Sequence, residues 1–288
     1  MPSSADSGGG VLLDTVERPA ADSYEPRRTK RDDLVAWAKS HMRGKKFVIV
    51  SNREPYSHVP DGNGIRAVRN VGGLTVALDS VAQALGGLWV AYGHGPADRE
   101  AADAQGRVPA PPDDPSYTLR RVWLSDDDYE KYYSGFSNGA LWPLCHIVYV
   151  RPRFQLDEWE RYREVNERFA HAVLEEIGDE PAFIFIQDYH LALAARYIKA
   201  VRPDVDVALF WHIPWPNAEN LRVLPWREEL LDGMLANDLV GFHTREHALN
   251  FLDNVSDSLE ARVDGDRLAV FRGGNRTWVR SFPIGVDV

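Results

Sequence analysis

The sequence predicts an α/β protein with a Rossmann-like parallel sheet that is covered by helices on both faces. Three apolar runs each break into a polar cluster, which is the pattern of strands that deliver side chains to one edge of a sheet. Two of the runs flank a single helix-length stretch and so form a β-α-β unit. The runs are residues 47–50, 183–186 and 207–211, and the clusters that follow them are Ser51-Asn52-Arg53, Gln187-Asp188-Tyr189-His190 and His212-Ile213-Pro214.

The beginning of the chain has a different composition. Residues 1–45 mix Ser, Gly, Pro and charged residues without periodicity, which predicts a disordered tail, with a candidate short helix over residues 32–42. The folded domain is expected over residues 46–288. After the first strand, Pro55, Pro60 and a Gly-rich turn predict a loop over residues 54–70.

The later elements follow from apolar periodicity and from helix boundary signals. Gly72-Gly73 opens a predicted helix over residues 74–85, and Ser125 before three aspartates is a strong N-cap signal. Residues 96–116 are rich in Ala, Asp and Pro, which predicts a surface excursion away from the core. Further helices are expected over residues 156–177, 191–201, 225–235 and 245–255, and further strands over residues 88–92, 117–124, 238–242 and twice within residues 261–282.

Composition limits the classes of function. A formal net charge of −10 disfavours binding to nucleic acid or to a membrane surface, because both are polyanionic. The single cysteine, Cys145, excludes an internal disulfide and fits a reducing compartment. The sequence shows no apolar run of the roughly 18 residues that a membrane span needs and no signal-peptide core. It therefore favours a soluble cytoplasmic protein, and it leaves homo-oligomerisation open.

Arg53, Asp188 and His212 are candidate functional residues because three strands bring them to one edge. A guanidinium suits a phosphate or a carboxylate, although Arg53 in a surface ion pair is the alternative. Asp188 could instead cap the helix that follows it. His212 could instead be a packed histidine beside Pro214.

Gly73, Tyr133 and Trp142 complete the candidate site. A glycine pair at a helix start lets an anionic ligand approach backbone N–H groups, and the alternative is a tight turn that needs glycine torsions. Tyr133 and Trp142 lie in an aromatic segment with interleaved Ser and Asn, which is typical of a carbohydrate site. The alternative for this segment is core packing, which is favoured for Phe136 and Leu141.

The sequence lacks the motifs of several other kinds of catalytic and binding site. The sequence has no GxGxxG or P-loop pattern, no HExxH and no CxxC. We therefore expect no metal and no cofactor.

As an ordered set, the motifs resemble those of trehalose-6-phosphate synthases, which are retaining glycosyltransferases with the GT-B fold of two Rossmann-like domains. The resemblance runs from about residue 46 to the C-terminus, and its strength lies in the set rather than in any one motif. It implies transfer of glucose from a nucleotide sugar, usually UDP-glucose, to glucose 6-phosphate, which gives α,α-trehalose 6-phosphate. The motifs are Ser51-Asn52-Arg53, Gly72-Gly73-Leu74, Tyr132-Tyr133, Phe136-Ser137-Asn138, Leu141-Trp142-Pro143, Asp188-Tyr189-His190-Leu191, His212-Ile213-Pro214 and Pro283-Ile284-Gly285.

The resemblance also implies roles for single residues. Arg53, Tyr133 and Trp142 correspond to contacts with the acceptor's phosphate and sugar. Asp188 corresponds to the carboxylate that orients acceptor hydroxyls, His212 to a donor-glucose contact, and Gly73 to a contact with the donor diphosphate. Asp188 and His212 are thus the catalytic candidates, and the implied mechanism needs no covalent enzyme nucleophile.

Departures from the family pattern leave alternatives open. Trp215-Pro216 and Glu54-Pro55 differ from the usual motif and are expected to flank the acceptor pocket. The second, nucleotide-binding domain is absent from this chain, so the 288 residues alone are expected to be inactive and the donor base is not determined. A glucosylglycerol-phosphate synthase that uses glycerol 3-phosphate, and a non-catalytic regulatory homologue, are the alternative functions.

Overall fold

The structure is a computed structural model that describes residues 31–42 and 44–283. Its strands are β1 (Lys46–Arg53), β2 (Tyr56–Asp61), β3 (Gly64–Arg69), β4 (Leu88–Tyr92), β5 (Arg107–Ala110), β6 (Tyr117–Val122), β7 (Ala182–Gln187), β8 (Asp206–Trp211), β9 (Leu239–Phe242), β10 (Arg262–Asp264), β11 (Ala269–Arg272) and β12 (Asn275–Ser281). Its α-helices are α1 (Arg31–His41), α2 (Gly73–Leu85), α3 (Asp98–Ala101), α4 (Asp126–Tyr129), α5 (Trp142–His146), α6 (Leu156–Ile177), α7 (Ala194–Val201), α8 (Ala218–Leu221), α9 (Arg227–Met234) and α10 (Arg245–Ser258). A π-helix spans Glu130–Leu141 and a 3₁₀ helix spans Tyr189–Leu191.

Ten of the strands form one sheet in the order β10-β11-β12-β9-β8-β7-β1-β4-β6-β5. The pairings from β12 through to β6 are all parallel, which confirms the predicted Rossmann-like core. The pairings of β5, β10 and β11 at the two ends are antiparallel, so the sheet as a whole is mixed. The central strands are continuous apolar runs because both faces of a parallel sheet are buried.

Helices cover both faces of the sheet, and the side chains of β1 alternate between them. Val48 and Val50 pack into the larger core cluster, which is built with α6, α7, α9 and α10. Phe47 and Ile49 pack into a smaller cluster with α2. None of the helices in the described part of the chain is both long enough and apolar enough to span a membrane.

Two regions differ from the sequence-based expectation, and a third agrees with it. The expected loop over residues 54–70 is a hairpin, β2–β3, closed at Gly62, which has a φ of 59°. The expected surface excursion over residues 96–116 contributes the edge strand β5 and the buried Asp98. The candidate helix near residues 32–42 is present as α1, where Ala38 is buried, whereas residues 1–30 lie outside the described residues.

One buried carboxylate on α2 contacts both strands of the hairpin. Asp79 accepts hydrogen bonds from the hydroxyls of Tyr56 at 2.9 Å and Tyr117 at 2.8 Å. It also accepts from Arg69 Nη2 at 2.9 Å and from Gln83 Nε2 at 3.0 Å. Asp79 therefore joins both strands of the hairpin to α2 and β6.

We expect Asp79→Ala to destabilise the protein by about 3 kcal/mol or more, because it leaves two buried hydroxyls without their charged acceptor. Urea unfolding followed by circular dichroism measures this loss. Asp61→Ala at the hairpin tip is the matched control. Its ion pair with Arg66 is exposed and is expected to contribute less than about 1 kcal/mol. Equal losses in the two variants would show that Asp79 is not the anchor.

Candidate active site

Two adjoining cavities open at the carboxyl edge of the sheet. The central pocket, of about 300 Å³, is lined by five of the six predicted site residues: Arg53, Gly73, Tyr133, Trp142 and Asp188. The side pocket, of about 320 Å³, lies next to it. Arg53 lines both cavities, so its guanidinium marks the boundary between them.

Asp188 has a conformation that is unusual for a residue with a side chain. Its φ of 70° and ψ of 170° lie in a region that favours glycine, and such strain concentrates at functional sites. Its Oδ1 accepts hydrogen bonds from the backbone N–H of Tyr189 at 2.9 Å and of His212 at 3.1 Å. The capping alternative is thus correct for the 3₁₀ helix, but the same carboxylate also ties β7 to β8. Burial raises the pKa of Asp188 to about 6.

His212 does not line the central pocket but borders it. Its Nε2 lies 3.0 Å from Gln187 Oε1, and its ring packs against Phe210 and His243. Burial, followed by the neighbouring His243, lowers the pKa of His212 to about 4. The ring is therefore neutral at pH 7, and it can exchange hydrogen bonds without carrying a charge.

A β-bulge sets the direction of Arg53. Ser51 pairs with Ala91 and Arg53 with Tyr92, so Asn52 is the extra residue on β1. Asn52 is fixed by the Tyr132 hydroxyl, which donates to its Oδ1 at 3.1 Å. Tyr133 raises the pKa of Arg53 through a side-chain hydrogen bond.

The ion-pair alternative for Arg53 finds no support in the structure. Among the ion pairs of residues 31–42 and 44–283 none involves Arg53, and the neighbouring Glu54 pairs instead with Arg121 and His94. The guanidinium of Arg53 is exposed to the two pockets. It is thus placed to bind an anion from solution.

Sequence reasoning missed an aromatic column beside Arg53. The ring centroids of Tyr92 and Tyr129 are 5.0 Å apart, those of Tyr129 and Tyr133 4.7 Å, and those of Tyr133 and His190 5.2 Å. Burial lowers the pKa of His190 to about 3, so its ring is neutral. The four-residue spacing of Tyr129 and Tyr133 on a helix is the signal that could have revealed the column.

Tyr133, on the π-helix, and Trp142, at the start of α5, both line the central pocket. Trp142 is partly exposed there and stacks on His146, with ring centroids 4.1 Å apart. Phe136 and Leu141 are fully buried, which confirms the core-packing alternative for those two residues. The π-helix thus divides its side chains between core and pocket, and π-helical segments are frequent at functional sites.

Gly73 is the first residue of α2, and the N-terminus of this helix meets the central pocket. Gly72 precedes it in an extended conformation, with φ −167°, and no side chain caps the helix. Gly73 is not among the glycines with positive φ, so the alternative of a turn that requires glycine torsions is wrong. A Cβ at Gly73 would have no atom within 4 Å. The first-turn N–H groups therefore present a site for an anion.

One cluster of the described residues has the spacing of metal ligands. Atoms of Glu54, His94 and Asp98 lie within 4.8 Å of one another. However, Arg121 Nε donates to Glu54 Oε2 at 2.7 Å, and Arg121 Nη2 lies 3.0 Å from Asp98 Oδ1. The backbone N–H of Gly95 donates to Asp98 Oδ2 at 2.6 Å, so of the carboxylate oxygens only Glu54 Oε1 is left as a ligand beside His94. Two ligands are too few for a metal site, and the absence of a metal stays a prediction.

Trp215 and Glu54, which depart from the family motif, lie in different environments. Trp215 is buried and packs edge-on against Trp211 and Phe251, with ring centroids 4.8 Å and 5.2 Å away. The expectation that Trp215 flanks the acceptor pocket is therefore wrong, because it is a core residue. Glu54, in contrast, lines the side pocket.

This Rossmann-like sheet, with an open helix N-terminus, an arginine and a strained carboxylate at one edge, has the architecture of one half of a GT-B fold. The chain belongs to glycosyltransferase family 20, whose sequence model matches residues 45–288. It is 41% identical to a trehalose-6-phosphate synthase of Mycolicibacterium smegmatis over 84% of this chain and 48% of that protein. It is 39% identical to a bifunctional trehalose-6-phosphate synthase/phosphatase of Thermoproteus tenax over 84% of this chain and 33% of that protein.

Solved structures agree. An E. coli trehalose-6-phosphate structure with bound UDP-2-fluoro glucose matches 84% of this chain and 49% of that chain, at 28% identity and a TM-score of 0.69. An α,α-trehalose-phosphate synthase of Burkholderia xenovorans in complex with glucose-6-phosphate matches 84% of this chain and 50% of that chain, at 27% identity and a TM-score of 0.68. The chain thus spans about half the length of most of these relatives.

Gly73→Ala is expected to leave stability unchanged within about 1 kcal/mol, since the added methyl meets open space. Gly87→Ala is the matched control. There the φ is 99° and a Cβ would lie 2.2 Å from the Phe47 carbonyl oxygen, so a large loss of stability is expected. Thermal unfolding of both variants measures the contrast. A large loss in Gly73→Ala would restore a structural role for that glycine.

Asp188→Asn is expected to change the pH dependence of stability. The folded-state pKa of Asp188, about 6, is raised above its ordinary value, so its stabilising contribution is present below about pH 4 and lost as pH rises through 6. The variant should therefore gain about 2 kcal/mol relative to the parent on going from pH 4.5 to pH 8. Urea unfolding at both pH values measures this difference, and a pH-independent difference would contradict it.

Proposed function

We propose that this chain is the acceptor-side half of an α,α-trehalose-phosphate synthase. The proposed reaction transfers glucose, with retention, from UDP-glucose to glucose 6-phosphate. The observation that carries the proposal is the convergence of Arg53, Asp188 and the open N-terminus of α2 on one pocket. These three features match, in order, a phosphate, a sugar hydroxyl and a diphosphate.

The acceptor is assigned to Arg53, Tyr133, Trp142 and Asp188. Arg53 supplies the fixed positive charge for the phosphate, and the two aromatic rings provide faces for the sugar. Asp188, once ionised, accepts hydrogen bonds from acceptor hydroxyls and so orients the attacking oxygen. Because burial raises the pKa of Asp188 to about 6, this function is lost as the pH falls below that value.

The donor is assigned to Gly73 and His212. The helix N-terminus at Gly73 attracts the diphosphate through its free N–H groups and the helix dipole. The neutral His212 is placed to hydrogen-bond the donor glucose. The leaving diphosphate and the incoming hydroxyl then share one face of the glucose, and the phosphate helps to take the proton. Catalysis of this kind rests on positioning and charge stabilisation and needs no metal or cofactor.

The proposal extends to the location of the protein and to the rest of the donor site. The buried, single Cys145 is in keeping with a cytoplasmic location. Homo-oligomerisation stays a prediction. Since the relatives are about twice as long as the matched region, we expect the contacts to the donor nucleoside to come from residues outside the 288 of this chain.

A transfer assay tests the reaction. Residues 1–288 alone are expected to give no trehalose 6-phosphate from UDP-glucose and glucose 6-phosphate, whereas the same residues joined to a second Rossmann-like domain should give it. Glycerol 3-phosphate, offered in competition, tests the alternative acceptor. Preferred transfer to glycerol 3-phosphate would overturn the acceptor assignment, and no transfer to either acceptor would favour a non-catalytic regulatory homologue.

Arg53→Ala, in a chain that carries both domains, is expected to raise the KM for glucose 6-phosphate by about ten- to a hundredfold. The reason is the loss of a charge-assisted contact, which contributes about 1.5–3 kcal/mol. The KM for UDP-glucose should change little. Arg66→Ala on the exposed hairpin is the matched control and should leave both constants unchanged. Equal effects of Arg53→Ala on both substrates would point to a structural role for Arg53.

A further inference from the structure

A buried carboxylate forms the floor of the side pocket. Glu54 is fully buried, and its Oε2 accepts from Arg121 at 2.7 Å. Its Oε1 has no well-formed hydrogen bond within the described residues and lies 3.3 Å from His94 Nδ1. His94 is therefore the group that faces the free oxygen of this carboxylate.

The charged groups around Glu54 sum to zero only when the Glu54–His94 pair holds one proton. Arg121 is fully buried and contributes one positive charge, against the two carboxylates of Glu54 and Asp98. His58 Nδ1 lies 2.8 Å from Arg121 Nη2, and burial followed by Arg121 lowers the pKa of His58, so that ring is neutral. Burial raises the pKa of Glu54 and the contact with His94 lowers it, so the proton that balances the cluster is shared between Glu54 and His94. Glu54 accordingly raises the pKa of His94, against a smaller opposing effect of burial and of Arg53.

His94 lies at the wall of the side pocket. Its side chain is 55% exposed and lines the side pocket together with Arg53. Tyr92 and Tyr129 form the aromatic side of the same cavity, and Thr75 and Asn70 add polar groups. An acceptor whose sugar lies in the central pocket can therefore extend a phosphate past Arg53 into the side pocket.

We propose that His94 is a second cationic contact to the acceptor's phosphate, opposite Arg53, with Glu54 as the positioning residue that holds its proton. The inference rests on the proposed function, because it assumes that a phosphate monoester is the acceptor. It adds a titratable cation to a site whose other cation, Arg53, does not titrate in the neutral range.

A titratable contact makes acceptor affinity depend on pH in a defined direction. A phosphate monoester carries two negative charges above about pH 6. His94 is protonated below its raised pKa and loses its charge as the pH rises through that value. Affinity should therefore be highest in the window between the two and fall towards alkaline pH.

Calorimetric binding of glucose 6-phosphate to the 288-residue chain at pH 6.5 and pH 8.5 tests the inference. The parent protein is expected to lose about five- to tenfold in affinity between these values, as befits one partly exposed charge contact. His94→Gln should bind weakly at both, with little pH dependence. His94→Lys, which keeps its charge, should bind at pH 8.5 as the parent does at pH 6.5. His41→Gln, on the exposed face of α1, is the matched control and should behave as the parent.

NMR titration of the histidine side chains separates the inference from the proposed function. The His94 signals are expected to titrate above the ordinary range, and further upwards when inorganic phosphate or glucose 6-phosphate is added. If inorganic phosphate shifts His94 but glucose 6-phosphate does not bind, the phosphate contact stands and the acceptor assignment fails. Parent-like affinity and pH dependence in His94→Gln would overturn the inference, as would the failure of both ligands to shift His94.

Discussion

Parallel pairing of β4, β1, β7 and β8 is the constraint on which the site depends. Because these four neighbouring strands run in one direction, the residues that follow or end them meet at one edge. Tyr92, Arg53, Asp188 and His212 occupy these strand ends in sequence across the sheet. Local distortions then aim each of them, through the bulge at Asn52 and through the positive φ of Asp188. The sheet thus brings these residues together, and the local backbone distortions orient their side chains.

Burial rather than ion pairing sets the chemistry of the central pocket. His190 and His212 are neutral because their desolvation outweighs everything around them, and Asp188 titrates near pH 6 for the same reason. Arg53 keeps its charge under all these conditions. A pocket with one permanent cation and otherwise neutral or conditionally charged partners can distinguish a phosphorylated sugar from a plain one without binding anions indiscriminately.

The sequence predicted an element correctly where one strong local signal determines it. It failed where the structure depends on pairing between segments. Long apolar runs identified the central strands, and α6 was predicted at its observed bounds, Leu156–Ile177, because its apolar period is regular. The hairpin β2–β3 was missed because Pro60 and charged residues interrupt its alternation, although Asp61 still pairs with Gly64 across the turn. Tyr92 and His94 were missed because their significance comes from Arg53 and Glu54, which are distant in sequence. Trp215 was misplaced because a motif position does not reveal which way a side chain faces.

The two-stranded hairpin has a further consequence for how such an enzyme can diversify. The base of the hairpin is held to the domain through Asp79, and Asn70, which follows β3, donates to the Glu54 carbonyl at 3.0 Å. The tip of the hairpin at Gly62 does not pair with the main sheet. Lengthening or shortening the tip would leave the strands of the core untouched. Glu54 and Asn70, which flank the hairpin, line the side pocket, whereas the residues of β2 and β3 do not. The length of the hairpin can therefore change while the lining of the pocket stays the same.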